Sequence, residues 1–227
     1  MTRKTFEREL QRLQDEMLAL ASMVENGLTD SIEILRRGDI AGSKRLIEQD
    51  RVINKKRYSI ESECIIAIAT QQPMAGDLRI LAAVLDITKE LERIGDYVKG
   101  IARINLMIAD QPTIKPLVDL PTMAEKARSM LHRSLDAFVE RDVDLAKTIP
   151  SEDDEVDKLY EKFYQELMTV IASDLSTAEQ ANKLLWVAHN LERSADRVTN
   201  ICERVVFTVT GETIELDLKE EGISGVS

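Results

Sequence analysis

The sequence predicts an all-α protein built from two duplicated antiparallel three-helix bundles, six long helices in all. Three observations lead there. The 227 residues include only 9 glycines and 5 prolines, and aromatic residues make up 4% of the chain. Both turn formers fall below their usual shares of roughly 7% and 5%, and strand formers are equally scarce. Apolar residues recur at steps of three and four along stretches of about 30 residues, the period of an amphipathic helix. Finally, a segment that begins at Leu91 is repeated from Leu191.

Proline and glycine set the boundaries. The first stretch runs from about Thr5 to Arg37 and stops at Gly38-Asp39. The second runs from about Ile40 to Thr70 and stops at Gln71-Gln72-Pro73, and the third spans about Met74 to Ala109. Asp110 to Pro116 holds two prolines, Pro112 and Pro116, and reads as the linker between the halves. The fourth helix is expected from about Pro121 to Arg141 and the fifth from Asp142 to Ser173. Pro150 must kink or interrupt the fifth, since proline lacks an N–H and clashes with the preceding turn. Ser176 and Glu179 have capping-box spacing and predict the start of a sixth helix, which runs to Thr210. Residues 1–110 and 117–211 are the expected halves, and 212–227 reads as a loosely packed tail.

The repeat is close enough to imply duplication. Leu91-Glu92-Arg93-Ile94-Gly95-Asp96-Tyr97-Val98-Lys99-Gly100-Ile101 lies over Leu191-Glu192-Arg193-Ser194-Ala195-Asp196-Arg197-Val198-Thr199-Asn200-Ile201 with six of eleven positions identical. At a slightly longer offset, Asp50 to Asn54 lies over Asp153 to Asp157. A period this long signals two copies of a three-helix unit and not a solenoid. In the sixth helix the apolar seam is Leu184, Ala188, Leu191, Ala195, Val198, Cys202, Val205; in the third it is Val84, Thr88, Leu91, Gly95, Val98, Ala102. Steps of four and three are bundle packing, and the small residues allow a neighbouring helix to approach closely.

Charge narrows the function. Thirty Lys+Arg stand against 41 Asp+Glu, a net charge of -11, which offers no electrostatic footprint to nucleic acid or to an anionic membrane surface. The longest apolar runs, Cys64 to Ala69 and Ile80 to Leu85, fall far short of the roughly 18 residues a membrane span needs, so no membrane insertion is expected. The N-terminal residues lack the apolar core of a signal peptide. Cys64 and Cys202 sit in apolar helical stretches and read as reduced core residues, so a cytoplasmic location is expected.

The acids flank the seam. Glu92 and Asp96 are one helical turn apart, as are Glu192 and Asp196, with Asn200 a further turn on. Asp50 with Asn54 and Asp153 with Asp157 share this spacing on the second and fifth helices. Two like charges about 6 Å apart repel by roughly 0.7 kcal/mol in water, so several converging carboxylates cost a few kcal/mol that a bound cation would reverse. Oxygen ligands suit hard di- or trivalent ions. The plain alternative is a solvated acidic face with Arg93 and Arg193 as partial counter-ions. Catalysis has little support: His132 and His189 lie on different helices, Glu-x-x-His is absent, and no nucleophile stands near a histidine. His189 falls off the seam and reads as a surface residue.

Gln72-Pro73-Met74-Ala75-Gly76-Asp77-Leu78-Arg79, the box Leu91 to Asp96, the box Leu191 to Asp196 and its extension Asn200-Ile201-Cys202-Glu203 occur in this order across the whole chain, which closes on Thr210-Gly211-Glu212. In these segments the sequence resembles the PhoU family, accessory regulators of bacterial phosphate uptake. The resemblance implies two three-helix bundles and a cytoplasmic adaptor without catalytic turnover. It implies as partners the ATPase subunit of the phosphate ABC transporter and a sensor histidine kinase, and a homodimer is expected. It also implies multinuclear metal binding at the acidic motifs: an iron cluster, or otherwise Zn, Mg, Mn or Ca. Carried over by position, the ligands are Asp50, Glu92, Asp96, Asp153, Asp157, Glu192, Asp196 and Asn200. The chain departs from the family pattern where Asn54 replaces an acid, where Gly100 stands in place of a common Asn and where Arg197 stands in place of a common His. The first two favour the C-terminal set as the better ligands. A metal-dependent oxidase or metal-storage bundle, and a purely structural helical protein, remain the alternatives. Independently of the family, a direct anion sensor should present Arg, Lys or helix N-termini. The distinctive surface here is acidic, so no direct binding of inorganic phosphate is expected.

Overall fold

The structure, a computed structural model, describes residues 3–111, 114 and 119–216. Helix α1 is Arg3–Arg37, α2 is Ile40–Gln71, α3 is Ala75–Ile108, α4 is Asp119–Glu140, α5 is Val143–Thr148, α6 is Asp153–Ser173 and α7 is Ala178–Thr210. The linker prolines Pro112 and Pro116 lie outside the described residues, as does most of the expected tail.

Local chemistry sets each break. Gly38, at φ +62°, ends α1, and the Asp39 carboxylate then accepts from Gly42 N–H at 2.8 Å to cap α2. Gln72 takes φ +47° ahead of Pro73, which bars any continuation of α2. Asp142 caps α5 by accepting from Leu145 N–H at 2.9 Å. Pro150 interrupts the expected fifth helix: Ile149–Glu152 tighten into a 3-10 turn between α5 and α6.

Two expectations need correction. The Ser176 box does not cap the last helix; Asp174 accepts from Ser176 N–H at 2.9 Å, and Glu179 pairs with Lys183 at 2.6 Å. Asp174 caps the 3-10 turn Leu175–Thr177 that precedes α7, whose own N-cap, Thr177, makes no side-chain capping hydrogen bond. The start of the tail is also held. Gly211, at φ +80°, ends α7, Leu216 N–H donates to Glu203 at 3.1 Å, and Ile214 and Leu216 pack on the core.

Helices α1–α3 form one three-helix group and α4–α7 the other, joined mainly by α3 against α7 and also by α1 against α4. Every seam residue named from the sequence is buried. Gly95 shows why small residues are needed: an added Cβ would stand 3.3 Å from Ile53 Cδ1 on α2. Helices α3 and α7 run antiparallel, so that Asp86 faces Arg204 at 3.5 Å, Glu90 faces Asn200 at 3.2 Å, and Gly100 receives Asn190. At the offset of the repeat, the contact of Glu90 with Asn200 mirrors that of Asn190 with Gly100, as an ancestral duplication would leave it.

One buried polar side chain secures the turn between α1 and α2. Asn105, 1% exposed, donates to Ser43 Oγ at 2.8 Å and also approaches the carbonyls of Asp39 and Ile34. Asn105→Ala removes the donor to buried Ser43 Oγ, while the carbonyls of Ile34 and Asp39 keep their backbone partners, and is expected to cost about 2 kcal/mol. Urea denaturation reads this directly, and a midpoint unchanged from wild type contradicts it.

Candidate functional site

The acids predicted from the sequence sit on two corresponding pairs of packed helices, α2 with α3 and α6 with α7. Asp50 and Asp153, which correspond in the repeat, are each 4% exposed. Burying a carboxylate is costly unless something answers its charge.

In the N-terminal groove that answer is visible. Lys99 Nζ on α3 lies 2.7 Å from Asp50 Oδ2 on α2 and 3.2 Å from Asp96 Oδ1, so one ammonium ties both helices. Asn54, one turn beyond Asp50, donates to the same Oδ2 at 3.1 Å. Asp50 Oδ1 is buried and has no hydrogen-bond partner among the described residues. Burial lifts the Glu92 carboxyl above its usual range, and the charges of Asp96 and Asp50 add to the lift while Arg57 opposes it. The hydrogen bond to Asp50 raises Lys99 in turn, against the cost of burial. Asp50 and Asp96 thus share the Lys99 ammonium, and Glu92 lies close enough to feel both of their charges. Lys99 was not foreseen, although its place three residues after Asp96 is a legible ion-pair signal. Arg93 turns aside to Glu90 at 3.3 Å.

The C-terminal groove keeps the acids and changes the basic residues. Asp153 opens α6 and Asp157 lies one turn on, while Glu192 and Asp196 lie on α7, with side chains 21% and 26% exposed. His189 Nδ1 stands 3.2 Å from Glu192 Oε2, and Arg193 Nε stands 3.7 Å from Asp196 Oδ2. Buried Thr199 occupies the position that corresponds to Lys99. Asn200 directs its amide to α3, where Glu90 also meets Arg197 at 3.6 Å, so it serves the junction between the halves. Burial and then the charge of Glu192 raise the Tyr160 phenol. Tyr160 and Trp186 flank the His189 ring, with centroids 6.3 and 5.5 Å away. This aromatic shelf was missed because it draws on two helices, and Trp186 alone gives no pattern to read.

Among the described residues, no group of three or more His, Cys, Asp or Glu side chains is arranged to hold a metal ion as it stands. The donors suit a hard cation by type. Soft ligands do not contribute: Cys64 and Cys202 are free and buried, and burial pushes both thiols up to about 12. Among the described residues no helix is long and apolar enough to cross a membrane.

Comparison with known proteins places this geometry in a family. The family model described as PhoU domain matches residues 17–104 and again 120–205. The chain is 36% identical over 218 residues to a phosphate-specific transport system accessory protein PhoU homolog of Clostridium acetobutylicum, covering 96% of this chain and 100% of the relative. To the PhoU accessory protein of Escherichia coli it is 36% identical over 207 residues, 91% of this chain and 86% of that one. Among solved structures, PhoU from Streptococcus pneumoniae, described as a phosphate transport system regulatory protein, superposes with TM-score 0.85 at 29% identity over 92% of this chain and 99% of its own. PhoU from Pseudomonas aeruginosa superposes with TM-score 0.86, also at 29% identity, over 91% of this chain and 100% of its own.

Proposed function

The chain belongs to the PhoU family, and from that premise we propose that it is a regulatory adaptor of phosphate uptake and of the phosphate-starvation response. It docks on the ATPase subunit of the phosphate ABC transporter and on a sensor histidine kinase, works as a homodimer in the cytoplasm, and carries no catalytic turnover. The observation that carries this reading is likeness to phosphate-specific transport accessory proteins along nearly the whole chain. The surface is consistent with docking. Trp186, Ile65 and Ile66 are each more than half exposed, and large apolar side chains left in water are suited to burial against a partner.

We further propose that Glu192 and Asp196, joined by Asp153 and Asp157, hold a hard di- or trivalent cation. When bound, such an ion neutralises the carboxylates and leaves a coordination position for an oxygen of a partner. Glu192 and Asp196 supply partly exposed carboxylates, with Glu192 Oε2 and Asp153 Oδ1 buried. An oxidase or storage bundle is not favoured. His132 lies against Glu25 and Asp136, far in sequence from the acidic motifs, and the relatives reported above are transport accessory proteins.

Two experiments test the adaptor. Tagged protein from phosphate-replete cells is expected to co-purify with the transporter ATPase and with the kinase; recovery of neither under those conditions contradicts the reading. Isothermal titration of the purified chain with inorganic phosphate is expected to show no micromolar binding, because the distinctive surface is acidic. A micromolar isotherm would make the protein a direct sensor.

A further inference from the structure

We propose that Lys99 is a built-in cation that takes the place of a metal ion in the N-terminal groove, so that the two halves of this chain are no longer equivalent. The geometry is specific. Lys99 Nζ lies within hydrogen-bonding distance of Asp50 Oδ2 and Asp96 Oδ1 at once, at 2.7 and 3.2 Å. It thereby ties Asp50 on α2 to Asp96 on its own helix α3 through one positive charge. Asn54 completes the substitution, since the amide that stands where Asp157 stands in the other half donates to Asp50 at 3.1 Å and brings no negative charge. One feature common to ligand oxygens persists: Asp50 is 4% exposed, and its Oδ1 is buried without a hydrogen-bond partner among the described residues. An ammonium has three donors and cannot satisfy every lone pair around it.

The corresponding position in the other half is Thr199, which is buried and uncharged at any pH of interest. The two grooves therefore share a carboxylate at each of four matched positions but one, and differ in whether the chain itself supplies the positive charge. A tethered ammonium costs no binding step and cannot be removed by a chelator. The N-terminal half is accordingly expected to be constitutively closed, and any metal-dependent change in shape is confined to α6 and α7. The last point rests on the metal reading proposed above; the role of Lys99 does not.

The test replaces Lys99 by the residue its counterpart carries. In the Glu192→Gln/Asp196→Asn background, which removes the C-terminal ligands, Mn2+ binding is measured by electron paramagnetic resonance and thermal unfolding is followed with EDTA and with Mn2+. With Lys99 intact, this background is expected to bind no Mn2+ and to melt at the same temperature in both buffers. Adding Lys99→Thr is expected to lower Tm in EDTA by roughly 5–10 °C, because a buried carboxylate loses its partner. Mn2+ then restores most of the loss and binds at one further ion per chain. Lys99→Met, which keeps the aliphatic stem, gives the same reading if the threonine variant does not fold. Two results overturn the proposal: no gain of Mn2+ on removing the lysine, or Mn2+ bound in the background that retains it and lost on Asp50→Asn. A wild-type chain that binds no Mn2+ in its C-terminal groove defeats only the metal reading and leaves this comparison intact.

Discussion

Phe163→Ala is expected to destabilise the protein by about 3–5 kcal/mol, near the top of the range for large-to-small core changes. Phe163 is the largest fully buried side chain described. Helix α6 has only three other buried residues, Asp153, Val156 and Leu167, so its hold on α4 and α7 rests on few apolar anchors. Removing the ring leaves a cavity that α6 closes only by moving, and α6 also carries Asp153 and Asp157. Two readouts should therefore respond together. Urea denaturation should show the loss of global stability, and hydrogen exchange should show opening concentrated in α6. A loss below about 1 kcal/mol, the size typical of an ordinary substitution, would contradict the packing account.

The second large effect is functional. Glu192→Gln/Asp196→Asn is expected to abolish metal retention in protein purified without chelator. Loss of a single supporting contact around a metal ligand costs roughly 10–100-fold in affinity, so loss of two ligands should exceed that. Stability in EDTA should change by less than about 1 kcal/mol, because the partly exposed pairs with His189 and Arg193 contribute little. The contrast separates a ligand role from a structural one. If the double variant and the wild type carry the same metal content, or if the variant unfolds in EDTA, these residues do not act as proposed.

Most of the fold was legible because it rests on repetition and punctuation. The seam residues, the break at Pro150 and the duplicated boxes each appear as local pattern, and each is where the pattern put it. One cap was less legible. Ser176 with Glu179 had the right spacing, but Asp174 captured the Ser176 N–H first, and sequence spacing cannot rank competing acceptors. The i, i+4 rows of acids were legible within each helix, since residues four apart lie on one face of it. What they meet was not. Lys99 could point to solvent, to Asp96 alone or across to Asp50, and only the packing of α2 on α3 selects the last. Asn200 shows the converse. It extends the acidic row in sequence, yet the antiparallel docking of α3 on α7 turns it to Glu90.

The account turns on the inequality of the two grooves, and anomalous diffraction from crystals equilibrated with Mn2+ tests it most directly. The expected map has an anomalous peak in the α6–α7 groove among Glu192, Asp196, Asp153 and Asp157, and none between Asp50 and Asp96, where Lys99 Nζ remains. A peak between Asp50 and Asp96 with Lys99 displaced, or no peak in either groove at saturating Mn2+, would contradict it.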